Sequence, residues 1–370
     1  MHIESATSKK TIRQFALLPY RIYKDDPVWV APLRVEVLAQ FNPQKNPTLE
    51  HCEYQLFLLR DGKEIIGRIA AFIDRLAADY WGEAIGMFGY FECPEDNQAA
   101  ELLLDAARQW LKEKGISRMR GPWSFVSQEW GSVLEGFIPE PVIMSPYNPP
   151  FYNDLYTDFG LEKVKDLLIY YIDAREGYQI PERILTLTDR VAQRYGIRTR
   201  LIRMDRFDEE VRIFMEMSNT SLAHNWGYAP VTEAEASAMA NDLRTILHER
   251  AVVFAEDKAG RPVGFAVALP DVNKLLKGLN GRLFPFGIFK LLFGLPRLNQ
   301  YRMFALGVIP EYHGKAVDSL LYRALYESCY NPDIRMEINY VLEDNGSMNN
   351  AIVKLGAKPL RRYRIYEMGI

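Results

Sequence analysis

The sequence predicts an α/β protein that is a tandem repeat of two similar halves, each a mixed sheet flanked by helices. The first observation is a strand–turn–strand unit in each half. In the first half, the strands Tyr54–Arg60 and Glu64–Asp74 flank an Asp-Gly turn. In the second half, the strands Val252–Glu256 and Pro262–Asp271 flank the turn Asp257–Gly260. Short runs rich in β-branched and aromatic residues that are separated by such a turn are typical of a β-hairpin.

The second observation is that short residue matches recur at a nearly constant offset. Gly67 and Gly264 lie 197 residues apart (264 − 67 = 197), and Gly160 and Gly356 lie 196 residues apart (356 − 160 = 196). The predicted elements between these matches follow the same order in both halves. We therefore interpret the chain as the product of a duplication.

The same order continues after the hairpins. In each half an apolar strand, Gly86–Cys93 or Met303–Ile309, reaches a proline and then a helix. Asp96 is suited to cap the first of these helices, because its short side chain accepts hydrogen bonds from backbone N–H groups. From the repeat we predict two domains, which are residues 1–178 and residues 179–370.

Composition excludes several classes of function. The 370 residues carry 45 basic and 48 acidic side chains, and this net charge of −3 gives no electrostatic reason to expect a nucleic acid partner. Three scattered cysteines and five histidines do not form a metal-binding pattern, so we predict no metal site. The N-terminus lacks the apolar core of a signal peptide, and the most apolar run, Leu283–Leu295, is shorter than a bilayer-spanning helix. We expect a cytoplasmic protein.

The stretch from Val308 to Leu321 carries the strongest functional pattern. A strand leads into a glycine-containing loop and then a helix N-terminus, where unpaired backbone N–H groups suit a phosphate. Its spacing resembles the acyl-CoA pyrophosphate loop of the GNAT superfamily of N-acyltransferases. Besides Val308 and Leu321, the residues Pro310, Gly314 and Lys315 occupy positions that this family pattern expects.

Four positions depart from the family pattern. His313 stands where the family has arginine or glutamine, and Ala316 and Asp318 stand at the two positions of close approach. A carboxylate at position 318 suits the helix dipole without a ligand, but it repels a pyrophosphate on the same turn. Ile352 stands where the family often has a tyrosine that protonates the leaving thiolate of CoA.

The resemblance implies acetyl-CoA or a longer acyl-CoA as co-substrate and an amine as acceptor. The first half has Pro94–Asn97 in place of the loop and is therefore expected to lack a cofactor site. The implied cofactor-binding residues are Leu306, Gly307, Val308, His313, Gly314, Lys315, Ala316, Val317 and Asp318.

The candidate catalytic residues are Glu337, His224 and Asn345. Glu337 is the preferred base, because it alternates with Asn339 on one face of a predicted strand, so that both side chains point to the same side. It equally fits a paired, structural glutamate. The candidate substrate-binding residues come from that strand, from the His-Asn-Trp-Gly-Tyr segment and from an aromatic insertion that fits a lid or a packed loop: Asn339, Asn225, Trp226, Tyr228, Tyr147 and Asn148.

The whole chain is similar to a group of bacterial proteins of about this length with two GNAT-like halves. Shared stretches are Tyr147–Pro150, Asn225–Gly227 and Leu342–Asn345. Some members of the wider group are thought to act on lipid amines with long acyl-CoA donors. The phenylalanine-rich run Leu283–Leu295 fits that function by holding an acyl chain or contacting a membrane, and it equally fits a buried insertion.

Three functions follow from these observations. The first is an acyl-CoA-dependent N-acyltransferase acting on a small-molecule or lipid amine. The second is a non-catalytic GNAT-like binding or scaffold protein. The third is a long-chain acyltransferase that acts on a lipid amine at the membrane surface. The sequence leaves the acceptor and the oligomeric state open.

Overall fold

The computed structural model of the protein describes residues 1–126, 129–285 and 287–370. Phe286, which belongs to the run Leu283–Leu295, lies outside the described residues. The chain divides into two units by its internal contacts. Unit 1 comprises residues 1–167, 276–289 and 361–370, and unit 2 comprises residues 168–275 and 290–360.

In chain order, the first part of the protein contains these elements: β1 (His2–Ser5), α1 (Lys9–Leu17), α2 (Pro19–Ile22), α3 (Arg34–Gln40), β2 (Cys52–Asp61), β3 (Glu64–Asp74), α4 (Arg75–Trp81), β4 (Gly86–Glu92), α5 (Asn97–Glu113), β5 (Arg118–Gly121), β6 (Ser132–Glu135), α6 (Tyr152–Asp158) and β7 (Glu162–Asp173).

The remaining elements follow in the same way: α7 (Glu182–Tyr195), β8 (Arg198–Leu201), α8 (Phe207–Ser221), α9 (Glu233–Arg244), β9 (Val252–Glu256), β10 (Pro262–Pro270), α10 (Asn273–Leu276), α11 (Gly287–Gly294), β11 (Gln300–Val308), α12 (Val317–Cys329), β12 (Arg335–Leu342), α13 (Gly346–Lys354) and β13 (Lys358–Gly369).

Unit 1 is a mixed sheet with the strand order β1-β2-β3-β4-β5-β13, and β6 pairs with β13. The hairpin β2–β3 forms where the sequence predicted it, with Gly62 at the left-handed φ of 56° that its tight turn requires. Helix α5 begins where the sequence predicted, because Asp96 accepts hydrogen bonds from Gln98 N at 2.8 Å and Ala99 N at 3.1 Å. The buried face of α5 packs on β2 and β3.

Unit 2 is a mixed sheet with the strand order β7-β12-β11-β10-β9-β8. Helices α7 and α12 pack on each other, and α12 also packs on β9 and β10. Leu321 and Leu325 on α12 are fully buried in this core, and Ile352 on α13 is also fully buried. The helix α8 packs on β10 and β11. The predicted strand Met303–Ile309 corresponds to β11, which begins three residues earlier, at Gln300, and ends at Val308.

The strands that end the two halves of the sequence, β7 and β13, do not each belong to the unit formed by their own half. Most of β13, from Arg361 onwards, belongs to unit 1, and the second half of β7, from Leu168 onwards, belongs to unit 2. The last residues of the chain therefore complete the sheet formed mainly by the first residues. The division of the sequence into residues 1–178 and 179–370 stays a prediction.

Unit 1 contains a buried polar cluster at the end of β4. The carboxylate of Glu92 lies 3.3 Å from Arg68 Nη2 and accepts hydrogen bonds from the hydroxyl groups of Tyr152, at 3.0 Å, and Tyr23. The Tyr152 hydroxyl in turn accepts a hydrogen bond of 3.0 Å from Cys93 N. Burial raises the pKa of Glu92, whereas the Arg68 charge and the two hydroxyl groups act in the opposite direction.

We predict that Tyr152→Phe lowers the free energy of unfolding by about 1–3 kcal/mol, because it leaves buried partners of the hydroxyl unsatisfied. The control is Tyr156→Phe, since Tyr156 is equally buried and its hydroxyl has no hydrogen bond among the described residues. Urea unfolding of both variants measures the difference. Equal losses of stability would contradict the proposed importance of the cluster.

Candidate functional site

The candidate site of unit 2 forms where two neighbouring parallel strands separate. The pairing of β11 with β12 runs from Gln300 opposite Arg335 to Met303 opposite Ile338. Both strands continue beyond this point, but among the described residues the pairing does not. The last five residues of β11 therefore present one backbone edge to an opening between the strands rather than to a neighbouring strand.

A bulge marks the point at which the strands separate. Val267 of β10 pairs with Ala305, and the next residue of β10, Ala268, pairs with Met303, so that Phe304 is the extra residue of β11. A bulge bends its strand and increases the local twist. The bulge lies directly after Met303, the last residue of β11 that pairs with β12.

A short loop connects β11 to α12. Residues Pro310–Tyr312 form a 3-10 turn, and His313 follows with its ring Nε2 lying 2.8 Å from Val308 O. The His313 side chain therefore contacts the backbone at the end of β11. Gly314 has φ of 72°, and a Cβ at this glycine would have no atom within 4 Å, so that the loop is open on that side.

Helix α12 begins with an unusual residue. Ala316 has φ of 58°, a left-handed conformation that costs an L-residue roughly 1 kcal/mol, and helical geometry starts at Val317. Asp318 lies in the first turn, where the helix dipole stabilises its charge in the absence of a ligand. Its carboxylate also raises the pKa of Tyr322, after the larger effect of that residue's burial.

The corresponding position in unit 1 can be identified from two glycines. A Cβ on Gly67 would lie 2.7 Å from Glu92 O, and a Cβ on Gly264 would lie 3.2 Å from Gly307 O. These glycines are the same pair that matches in the sequence repeat. The end of β4 at Glu92 therefore corresponds to the end of β11 at Gly307.

The two units fill this equivalent position differently. In unit 1, Arg68 pairs in register with Glu92, and the two side chains form the buried ion pair described above. In unit 2, Phe265 pairs in register with Gly307, which has no side chain. A Cβ on Gly307 would lie 2.2 Å from Ser221 Oγ, so the hydroxyl of Ser221 lies directly over this glycine. The charged pair of unit 1 is thus absent from this position of unit 2.

Glu337 is buried, with 2% of its surface exposed, on the strand beside β11. The Glu337 carboxylate lies 3.7 Å from Arg335 Nη2. Glu337 also pairs in register with Arg302 of β11. Arg302 is fully buried, and its guanidinium group lies 5.4 Å from the centre of the Tyr340 ring. Asn339, also buried, follows on the same face of β12. The cationic neighbours favour a structural ion pair for Glu337, and its role as the base stays a prediction.

The segment that contains the candidate acceptor residues follows α8 directly. His224 and Asn225 are exposed, and Trp226 is partly buried. The Tyr228 hydroxyl donates a hydrogen bond to the side-chain oxygen of Asn219, which also accepts one of 3.2 Å from the backbone of residue 231. Asn219 therefore fixes the loop beside the C-terminus of α8, and Tyr228 has a structural contact.

Three further candidates have structural contacts. Asn345 caps α13, because its side-chain oxygen accepts a hydrogen bond of 3.1 Å from Met348 N. In unit 1, the Tyr147 hydroxyl donates to Asp26, and the buried Asn148 accepts a hydrogen bond of 2.6 Å from Val133 N. The functional roles predicted for Asn345, Tyr147 and Asn148 remain predictions.

The run Leu283–Leu295 is partly exposed. Phe284 is 77% exposed, and on α11 the side chains of Phe289, Leu292 and Phe293 are 55%, 59% and 67% exposed. The last three are spaced i, i+3 and i+4, so they share one face of the helix. This exposure rules out a wholly buried insertion for the described residues of the run. Among the described residues, no helix is both long and apolar enough to cross a membrane.

One group of potential metal ligands occurs in the part of the chain that the structure describes. Donor atoms of His51, Cys52 and Asp74 lie within 4.8 Å of one another. Asp74 Oδ1 lies 2.9 Å from His51 Nδ1 and accepts a hydrogen bond from Ala77 N as the cap of α4. These contacts explain the grouping without an ion.

Two residues of the site were missed by sequence reasoning. Arg302 is the third residue of β11 and lies just before the apolar strand Met303–Ile309 that the sequence predicted, so the prediction did not include it. Ser221 lies at the end of an amphipathic helix, and nothing in its local sequence distinguishes it from a solvated serine. Only the packing of α8 on β11 brings it to Gly307.

Comparison with solved structures identifies the fold. The chain is similar to a tandem GNAT protein from the clavulanic acid biosynthesis pathway, with a TM-score of 0.57 and 14% identity, over 100% of this chain and 97% of the other. This likeness confirms the predicted fold class, a tandem of two GNAT-like domains. No family model matches the chain.

Two curated relatives extend over nearly the whole chain. Protein YghO of Escherichia coli (strain K12) is 34% identical over 376 residues, which cover 100% of this chain and 95% of the relative. The bacterial ceramide synthase of Caulobacter vibrioides is 32% identical over 378 residues, which cover 97% and 95%. The chain belongs to the family of these two bacterial proteins.

We predict that Gly307→Ala lowers the free energy of unfolding by about 1–3 kcal/mol, because the new methyl group overlaps Ser221 and the ring of Phe265, 2.6 Å away. In Gly346→Ala, the methyl group enters open space in the first turn of α13. That control variant should be stabilised by up to about 1 kcal/mol, since alanine favours a helix more than glycine does. Thermal or urea unfolding measures both, and a neutral Gly307→Ala would refute the tight packing.

Proposed function

We propose that the chain is an acyl-CoA-dependent N-acyltransferase whose donor site lies in unit 2. The observation that supports this most strongly is the opening between β11 and β12, which leads directly into the loop before α12. The edge of β11 supplies unpaired backbone groups for an extended ligand. The N-terminus of α12 supplies N–H groups for a phosphate.

The proposed donor site uses the residues from Leu306 to Asp318. Gly314 leaves the loop open, because a Cβ at this glycine would have no atom within 4 Å. Lys315 adds a positive charge, with its Nζ 4.2 Å from the centre of the Tyr312 ring. Backbone N–H groups of β11 would stabilise the oxyanion that forms when an amine attacks the thioester.

The acceptor would bind on the side of β11 that α8 and the loop after it cover. His224, Asn225 and Trp226 belong to that loop. Glu337 and Asn339 lie on β12, the strand beside β11. Acetyl-CoA and longer acyl-CoA both fit this description of the donor site. Asp318 is the residue that most favours the non-catalytic alternative, because its charge opposes a pyrophosphate on the first turn of α12.

The exposed apolar face of α11 favours a lipid as substrate. Three large apolar side chains on one helix face normally mark an interaction surface. The basic residues Arg282 and Lys290 lie beside them in the sequence, where they suit acidic lipid head groups. The name of the Caulobacter relative denotes synthesis of ceramide, an amide between a fatty acid and a long-chain amino alcohol. We propose a long-chain acyl-CoA and a lipid amine as the substrates.

We predict that palmitoyl-CoA binds and that Gly314→Val weakens this binding by about tenfold or more, equivalent to about 1.4 kcal/mol. The side chain closes the loop and strains its left-handed backbone. The control is Gly260→Val, which has the same kind of strain and open surroundings at a turn outside the proposed donor site. Isothermal titration calorimetry with palmitoyl-CoA and acetyl-CoA measures both variants. If neither donor binds the natural protein, the non-catalytic alternative is favoured.

We predict that Phe293→Asp reduces binding to vesicles of acidic phospholipid at least several-fold, because a carboxylate replaces an exposed apolar contact. Val35→Asp makes the same change at a similarly exposed residue of α3, 59% exposed, and should bind vesicles as the natural protein does. Co-sedimentation measures binding. Equal binding by all three proteins would remove the support for a membrane contact through Leu283–Leu295.

A further inference from the structure

Ser221 is the last residue of α8 and carries a buried hydroxyl group. Its Oγ atom has no hydrogen-bond partner among the described residues. A serine or threonine in a helix commonly satisfies its hydroxyl with the carbonyl oxygen four residues earlier. Thr220 does so with Glu216 O at 2.8 Å, but Ser221 does not. Since nearly all buried polar groups have a partner, this hydroxyl calls for an explanation.

The surroundings of Ser221 point to a ligand. The Oγ atom lies over Gly307, where even a single methyl group would overlap it. Gly307 belongs to the part of β11 that does not pair with β12, next to the loop of the proposed donor site. The hydroxyl is therefore buried against the segment of backbone along which the donor would lie.

We propose that Ser221 is a catalytic residue that protonates the leaving thiolate of CoA. The inference rests on the proposed function, since it requires an acyl-CoA along β11. Ile352, at the position where similar proteins often have a tyrosine for this step, is fully buried in the core and has no proton to donate. Ser221 supplies a proton from a different element of the same unit.

The reaction balances without a further co-reactant. The neutral amine of the acceptor attacks the thioester carbon, the new C–N bond forms, and the C–S bond breaks with its electron pair remaining on sulfur. Ser221 gives its hydroxyl proton to that sulfur and receives the proton that the amine nitrogen loses. The serine is therefore unchanged, and CoA leaves as a thiol while the acceptor leaves as an amide.

Other hydroxyl and imidazole groups of unit 2 are less suitable for this role. The Tyr228 hydroxyl donates to Asn219, and the Tyr322 hydroxyl donates to Met348 Sδ at 3.3 Å. His224 is exposed to solvent. Ser221 combines burial, an available proton and contact with β11.

The test compares Ser221→Ala with Thr220→Ala and the natural protein. Thr220 is the adjacent residue, is exposed, and bonds its hydroxyl within the helix, so its loss should leave turnover unchanged. Palmitoyl-CoA and sphinganine, a long-chain amino alcohol, serve as substrates, and release of free thiol measures turnover. Calorimetry with palmitoyl-CoA measures donor binding, and urea unfolding measures stability.

We expect Ser221→Ala to lower kcat by about 100-fold, the usual scale for loss of a general acid. Its Kd for palmitoyl-CoA should stay within about twofold of the natural value, and its unfolding midpoint should be unchanged or higher, because an unsatisfied buried hydroxyl is removed. A merely structural serine would lower the midpoint and would leave kcat unaffected in the folded fraction.

The possible failures are distinguishable. If the natural protein binds palmitoyl-CoA and transfers its acyl group, and Ser221→Ala does so at the same kcat, the role of Ser221 is wrong and the proposed function stands. If the variant loses donor binding as well as turnover, Ser221 is a binding residue and the proton transfer is refuted. If the natural protein neither binds nor transfers, the proposed function fails and this inference fails with it.

Discussion

The candidate site depends on the point at which hydrogen bonding between β11 and β12 stops. Two parallel strands that remained paired along their whole length would satisfy each other's backbone groups and leave no room for a ligand. The bulge at Phe304 bends β11, pairing ends at Met303 and Ile338, and the rest of β11 keeps an unpaired edge. Because buried backbone groups require partners, this edge is suited to a ligand that is itself extended and polar.

The comparison of the two units shows how one framework holds different side chains at the same position. At the same position of the sheet, unit 1 has Arg68 and Glu92, and unit 2 has Phe265 and Gly307. A buried ion pair is stable only when its remaining hydrogen-bonding groups are satisfied. The tyrosine hydroxyl groups around Glu92 meet part of that requirement, whereas the Ser221 hydroxyl and the Phe265 ring lie over Gly307. Unit 1 therefore differs from unit 2 by a set of cooperating residues and not by the loop alone.

Local patterns in the sequence were sufficient for most of the framework. The hairpins, the cap at Asp96 and the loop before α12 all depend on residues within a few positions of one another, so periodicity and turn chemistry predict them. The charge of Asp318 in the first turn of α12 and the glycine at position 314 were likewise readable from spacing. The predicted roles of the polar residues were less specific, because a glutamate such as Glu337 fits a base and an ion pair equally well until its neighbours are known.

The sequence by itself determined the tandem α/β architecture, the order of its elements and the loop that resembles an acyl-CoA site, because these follow from local periodicity and from the internal repeat. Only the tertiary structure decided that Arg302 stands beside Glu337 and that Ser221 lies over Gly307. It also decided which unit each terminal strand completes. These features depend on contacts between residues that are distant in the chain, and packing of whole elements, which no local pattern encodes, brings such residues together.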